Sequence, residues 1–104
     1  MQNIDLDHEG FLCNIGDWSE DIAEQLANNE GLALSEAHWE VIHCLRGFYQ
    51  EFEVSPAMRP FVKYVGIQLG KEKGNSIYLL KLFPGSPAKL AAKIAGLPKP
   101  ENCL

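Results

Sequence analysis

The stretch Ser35-Glu36-Ala37-His38-Trp39-Glu40-Val41-Ile42-His43-Cys44-Leu45-Arg46-Gly47-Phe48-Tyr49-Gln50-Glu51-Phe52 decides the fold class. Ser35 is an N-cap residue and Glu36 lies at the positive end of the helix dipole that follows. Ala37, Val41, Cys44, Leu45, Phe48 and Phe52 then recur at helical spacing, which makes one long amphipathic helix, the longest of the chain. Towards the C-terminus, Ser55-Pro56 pairs a cap with a first-turn proline, and Pro60 follows so closely that regular helix is expected to begin only near it, with Phe61, Val65 and Leu69 as its stripe. Gly70 and Gly74 frame a Lys71-Glu72-Lys73 turn, and Asn75 or Ser76 opens a fourth helix whose Ile77, Leu80 and Leu82 run up to Phe83-Pro84. Ser86-Pro87 begins a last helix through Ala88, Leu90, Ala91 and Ile94, which Gly96 ends.

On the N-terminal side, Asp17 or Ser19 caps a short helix carrying Ile22, Ala23 and Leu26, broken by Asn28-Asn29-Glu30-Gly31. Before it, Ile4 and Leu6 oppose Asp5 and Asp7, and Phe11, Cys13 and Ile15 share a parity after His8-Glu9-Gly10, so a β-hairpin is expected over residues 3–16. The fold class is therefore α+β, mostly α: an N-terminal hairpin and about five helices in one domain, residues 1–96. Residues 97–104 form a C-terminal arm in which Pro98 and Pro100 prevent regular helix; it is expected to be mobile and to reach about 23 Å from Gly96.

The 104 residues are 46% hydrophobic and 22% charged, the profile of one soluble globular domain. A chain of this size buries roughly 65% of its unfolded surface, enough to fold without disulfides. No apolar run approaches the ~18 residues of a membrane span, and Met1-Gln2-Asn3-Ile4-Asp5 lacks the regions of a signal peptide, so a cytoplasmic protein with no membrane partner is expected. The net charge of -5 conceals an asymmetry: residues 1–56 carry twelve acids against Arg46 alone, and residues 57–104 carry eight bases against Glu72 and Glu101. Either the halves neutralise each other across the fold, or a basic side meets an acidic protein or RNA.

Three cysteines, Cys13, Cys44 and Cys103, are an odd count at wide spacing, which implies reduced thiols. Cys103 sits one residue from the end of the arm, where a thiol costs nothing to packing and can enter another protein's pocket, or is an incidental tail cysteine. Lys99 favours its thiolate, whereas Glu101 and the terminal carboxylate oppose it. Prenylation is excluded, because the fourth residue from the end is Glu101. Cys13 and Cys44 fall on apolar parities and are expected to be small core residues. No cysteine pair has zinc-site spacing, and His38 and His43 lie about 140° apart around a helix, so no metal is expected. His38-Trp39 reads as an aromatic pair packed at a helix start. The helices flanking Glu53-Val54-Ser55-Pro56, with Arg59 and Lys63 on the second, allow a helix-turn-helix-like DNA-binding or regulatory module, but the acidic first helix argues against phosphate contact.

The run Lys93-Ile94-Ala95-Gly96-Leu97-Pro98-Lys99-Pro100-Glu101-Asn102-Cys103-Leu104 resembles the C-terminal signature of the TusE/DsrC family of sulfur carriers. The resemblance extends through Ala37-His38-Trp39, Pro56-Ala57-Met58-Arg59, Lys73-Gly74 and Leu82-Phe83-Pro84-Gly85-Ser86-Pro87-Ala88-Lys89. It implies a small orthogonal helical assembly with an N-terminal hairpin and a mobile arm. In DsrC-type members a second cysteine precedes the penultimate one with ten residues between them, and here that position is Ala92. The departure favours the TusE type, whose lone arm thiol hands its cargo onward instead of closing an internal disulfide.

The resemblance implies a sulfurtransferase. Cys103 would accept persulfide sulfur from TusD of the TusBCD complex and pass it toward MnmA for 2-thiolation of the tRNA wobble uridine, with tRNA contacted only through MnmA and with no cofactor. The alternative within the family is a DsrC-type, gamma-subunit-like partner of dissimilatory sulfite reductase or another sulfur-oxidation or reduction carrier. Lys89, Lys93 and Lys99 are expected to steer the arm toward acidic partner surfaces.

Overall fold

The computed structural model describes residues 4–101. Five α-helices follow a short 3-10 turn at Ile15–Asp17: α1 (Glu20–Asn29), α2 (Glu36–Phe52), α3 (Met58–Leu69), α4 (Ser76–Leu82) and α5 (Pro87–Ile94). The last helix organises the others, packing against α1, α2, α3 and α4. Its small residues explain why. Ala88, Ala91, Ala92 and Ala95 are all buried, so neighbouring helices approach it closely without bulky side chains between them, while Ile94 fills the core. Phe11, Leu26, Ile42, Leu45, Phe61, Leu79, Phe83 and Leu97 supply most of the remaining core volume.

The helix starts show where local chemistry was sufficient. Ser19 caps α1 by accepting from the Ile22 N–H at 3.2 Å, and Asn75 caps α4 by accepting from Ile77 and Tyr78. At α2, the Ser35 N–H donates to His38 Nδ1 at 3.0 Å, closing a capping box in which histidine takes the place of the usual Glu or Gln. That bond leaves the ring proton on Nε2, which lies 2.7 Å from the Leu82 carbonyl oxygen and donates to it, tying the start of α2 to the end of α4.

The expected N-terminal β-hairpin does not form; among the described residues there are no strands, only an isolated antiparallel bridge between Leu6 and Leu12. Side chains take over the backbone donors that a ladder would use. Asp7 Oδ1 accepts from the Glu9 and Phe11 N–H groups, and Asn14 accepts from Gly16 to start the 3-10 turn. The alternation fails with it: Phe11 and Leu12 are both buried, and Cys13, expected in the core, is exposed.

Other expected faces also shift. Phe52, on the apolar stripe of α2, is 51% exposed because a 17-residue helix about 25 Å long runs beyond the core. It packs with Phe48 and with Tyr64 of α3. Ser55-Pro56 does not start α3; Ala57 is the N-cap and Pro60 sits within the first turn, where its missing N–H is harmless. On α4, Leu79 is buried while Ile77 and Leu80 face outwards, because seven residues present only one of their number to α5.

Candidate functional site

The chemistry suggested by the sequence lies on the segment after α5, and the fold holds the root of that segment at several points. The Trp18 indole N–H donates to the Ile94 carbonyl at 3.0 Å, and Arg46 Nη1 donates to the Ala95 carbonyl at 2.7 Å. The Arg46 guanidinium also lies 3.9 Å from the Trp18 ring centroid. Carbonyls that a helix C-terminus leaves open are thus satisfied by two side chains from distant parts of the chain, one of them a cation matched to the dipole. Gly96 then turns the backbone at φ +74°, and a Cβ there would collide with Trp18 Cδ1. Both the left-handed conformation and the close approach require glycine.

Beyond that turn the chain stays on the body. The Leu97 N–H donates to Ala92 O at 2.9 Å and its side chain enters the core. Ser55 Oγ donates to the Pro98 carbonyl at 2.6 Å, Lys99 Nζ donates to Glu9 at 3.0 Å, and Pro100 is buried. Of the segment assigned as an arm, residues 97–100 therefore lie against the domain, and free reach is counted from near Lys99 instead of Gly96. Cys103 lies outside the described residues.

Lys89, Lys93 and Lys99 each meet an acid from the front half of the chain. Glu9 pairs with Lys89 at 3.4 Å and Lys99 at 3.0 Å, and Glu30 pairs with Lys93 at 3.2 Å. The hydrogen bond from Lys99, followed by the Lys89 contact, holds the Glu9 carboxyl below its ordinary value despite partial burial. Lys93 also lies 5.3 Å from the Phe11 ring centroid. The two charge readings left open by the sequence thus meet at these residues, which neutralise the chain's own acids. Arg59, Lys63, Lys71 and Lys81 are exposed and have no carboxylate partner among the described residues.

An open cleft of about 730 Å³ borders the root, lined by Phe11, Cys13, Tyr49, Gly96, Pro98 and Lys99 among others. A smaller one of about 300 Å³, with His43, Arg46, Gln50 and Leu97, adjoins it at Ile15 and Tyr49. Of the two described thiols, Cys13 opens onto the cleft, whereas Cys44 is half-buried and its pKa is pushed up to about 11 by desolvation. Trp18, Arg46, Ser55 and Glu9 escaped the sequence reading as partners of the C-terminal segment. Only Gly96 carried a local signal, as a helix stop.

Helices gathered on a small-residue C-terminal helix, with the following segment pinned along the body, define the class: the sequence model described as "DsrC like protein" matches residues 1–104, and the chain belongs to the DsrC-like family. Particular relatives sharpen the comparison. The chain is 56% identical over 101 residues to Sulfurtransferase TusE of Yersinia pseudotuberculosis, covering 97% of this chain and 94% of the relative. It is 52% identical over 103 residues to Sulfurtransferase TusE of Escherichia coli K12, covering 99% and 94%. Among solved structures, DsrC of Allochromatium vinosum superposes with a TM-score of 0.89 at 48% identity, covering 99% of this chain and 92% of that one. The oxidised gamma-subunit of the dissimilatory sulfite reductase from Archaeoglobus fulgidus gives 0.84 at 38% identity, covering 99% and 94%.

Proposed function

We propose that this chain is a sulfurtransferase of a sulfur relay, carrying sulfur as a persulfide on Cys103. The observation that carries the reading is the pinned root: Leu97, Pro98 and Lys99 are tied to the body, so a thiol four residues beyond Lys99 is presented at the end of a short tether from a defined point. Full-length relatives named sulfurtransferases support it. Cys44 is a poor carrier, since burial keeps it a thiol and thiolate is the nucleophile. In the transfer, Cys103 thiolate attacks the outer sulfur of a donor persulfide; the donor leaves as thiolate and Cys103 becomes the persulfide. An acceptor thiolate then takes that outer sulfur in the same way, and no cofactor takes part.

The donor in this reading is TusD of TusBCD and the acceptor is MnmA, acting on the tRNA wobble uridine in the cytoplasm. Lys89, Lys93 and Lys99 contribute to docking only as their pairs with Glu9 and Glu30 exchange for a partner's acids. A second reading, a partner of dissimilatory sulfite reductase, draws on the likeness to the DsrC structures. Ala92 weighs against it, because the position where DsrC-type members hold a second cysteine carries a buried methyl group here. Intact-mass measurement after brief incubation with glutathione persulfide tests the carrier role. A gain of about 32 Da, one sulfur as thiol exchange delivers, is expected on the native chain and not on Cys103→Ser. Equal gain in both proteins sinks the assignment.

A further inference from the structure

The exposure of Cys13 separates it from a core cysteine, and its surroundings give the thiol a counterpart. It lies in the cleft whose other wall is the root of the C-terminal segment, Gly96, Pro98 and Lys99. The Cys13 backbone is fixed there by its N–H bond to the Asp5 carbonyl at 2.9 Å, beside the Leu6 to Leu12 bridge. From Lys99 to Cys103 there are four residues, a span of up to about 13 Å, and a disulfide bridges Cα atoms a further 4.4–6.8 Å apart, the general range. Lys99 and Cys13 line the same cleft, so the tether suffices. Cys44 is half-buried and lines neither this cleft nor its neighbour.

We propose that Cys13 is the second thiol of this protein's sulfur chemistry, discharging the Cys103 persulfide within the same chain when no acceptor is docked. The step rests on the persulfide reading of Cys103 and requires no added oxidant. Cys13 gives up its proton to solvent, and its thiolate attacks the inner sulfur of Cys103–S–SH. The attacking electron pair makes the Cys13–Cys103 disulfide, and the pair of the broken S–S bond departs with the outer sulfur as hydrosulfide. The sulfane sulfur is thereby reduced to sulfide while the two cysteines become a disulfide. A pair of external thiols reduces that bond and restores the carrier. The function that a cysteine at position 92 would serve from α5 is thus supplied from the N-terminal segment across the cleft.

Two measurements on the full chain test this, with Cys13→Ser, an exposed and nearly isosteric change, as the variant. After brief loading with glutathione persulfide and its removal, the native protein is expected to release one equivalent of sulfide and to yield a linked peptide pair containing Cys13 and Cys103. Cys13→Ser is expected to keep its adduct at least tenfold longer. Separately, diamide should link Cys13 to Cys103 in the native chain without any persulfide. An adduct on Cys103 that decays equally fast in both proteins, or a linkage to Cys44, overturns the inference and leaves the relay reading standing. Absence of any adduct on Cys103 overturns both.

Discussion

Gly96→Ala probes the point at which the core hands the chain to its C-terminal segment. The substitution places an L residue at φ +74°, which costs about 1 kcal/mol. It also sets a methyl group into Trp18 Cδ1, so the indole must move. Moving it breaks the Trp18 bond to the Ile94 carbonyl, about 1 kcal/mol, and the stacking of Arg46 on the ring, about another 1 kcal/mol. The expected loss is about 3 kcal/mol, a fall in Tm on the order of 15 °C for a domain of this size. Gly85→Ala is the control: its φ is +91° and nothing lies near the new methyl group, so only the backbone cost of about 1 kcal/mol remains. Urea unfolding of both variants, with Trp fluorescence as the readout, measures the difference. If Gly96→Ala loses no more than Gly85→Ala, the Trp18 and Arg46 contacts do not hold the root and the argument for a pinned tether fails.

Three other outcomes are expected. Because Lys99 holds Glu9 below its ordinary value of 4.5, ionised Glu9 stabilises the folded chain above that pH, and the contribution is lost as pH falls through the lower folded value; Glu9→Gln should flatten the acid limb of stability below pH 4.5, and an unchanged limb refutes the pairing. Cys44, at about 11, should resist iodoacetamide at pH 8 while Cys13 reacts, becoming labelled only on unfolding; comparable native rates, read by peptide mass, would contradict the burial argument. Reversing Lys93 and Lys99 to Glu removes pairs worth roughly 0–1 kcal/mol each, so helical circular dichroism should persist while sulfur transfer from TusBCD slows at low salt. A transfer rate and salt dependence equal to the native protein's would withdraw the docking role and leave the lysines as partners of Glu9 and Glu30 alone.

The elements legible in the sequence are those whose signals are local. Ser35 caps the long helix and Val41 and Leu45 lie on its inner face, because an N-cap bond spans three residues and the apolar stripe repeats every turn. Ser86-Pro87 and Gly96 bracket α5 for the same reason: proline presets the first turn and glycine alone tolerates the left-handed exit. Cys103 stood out by position and by family resemblance, both properties of the chain itself. Where the reading failed, the deciding partner lay elsewhere. Alternation around Phe11 and Cys13 resembles a strand, yet a strand needs a neighbour, and Asp7 and Asn14 took the backbone donors first. Ser55 has a cap's composition, but its hydroxyl is drawn to the Pro98 carbonyl, 43 residues away. No local pattern distinguishes a lysine that meets a partner from one that meets Glu9 or Glu30. Periodicity and capping therefore placed the helices and the carrier thiol in the sequence. Only the tertiary structure decided which side chains hold the root of the C-terminal segment and which thiol faces it, because those pairings join residues that the chain separates by tens of positions.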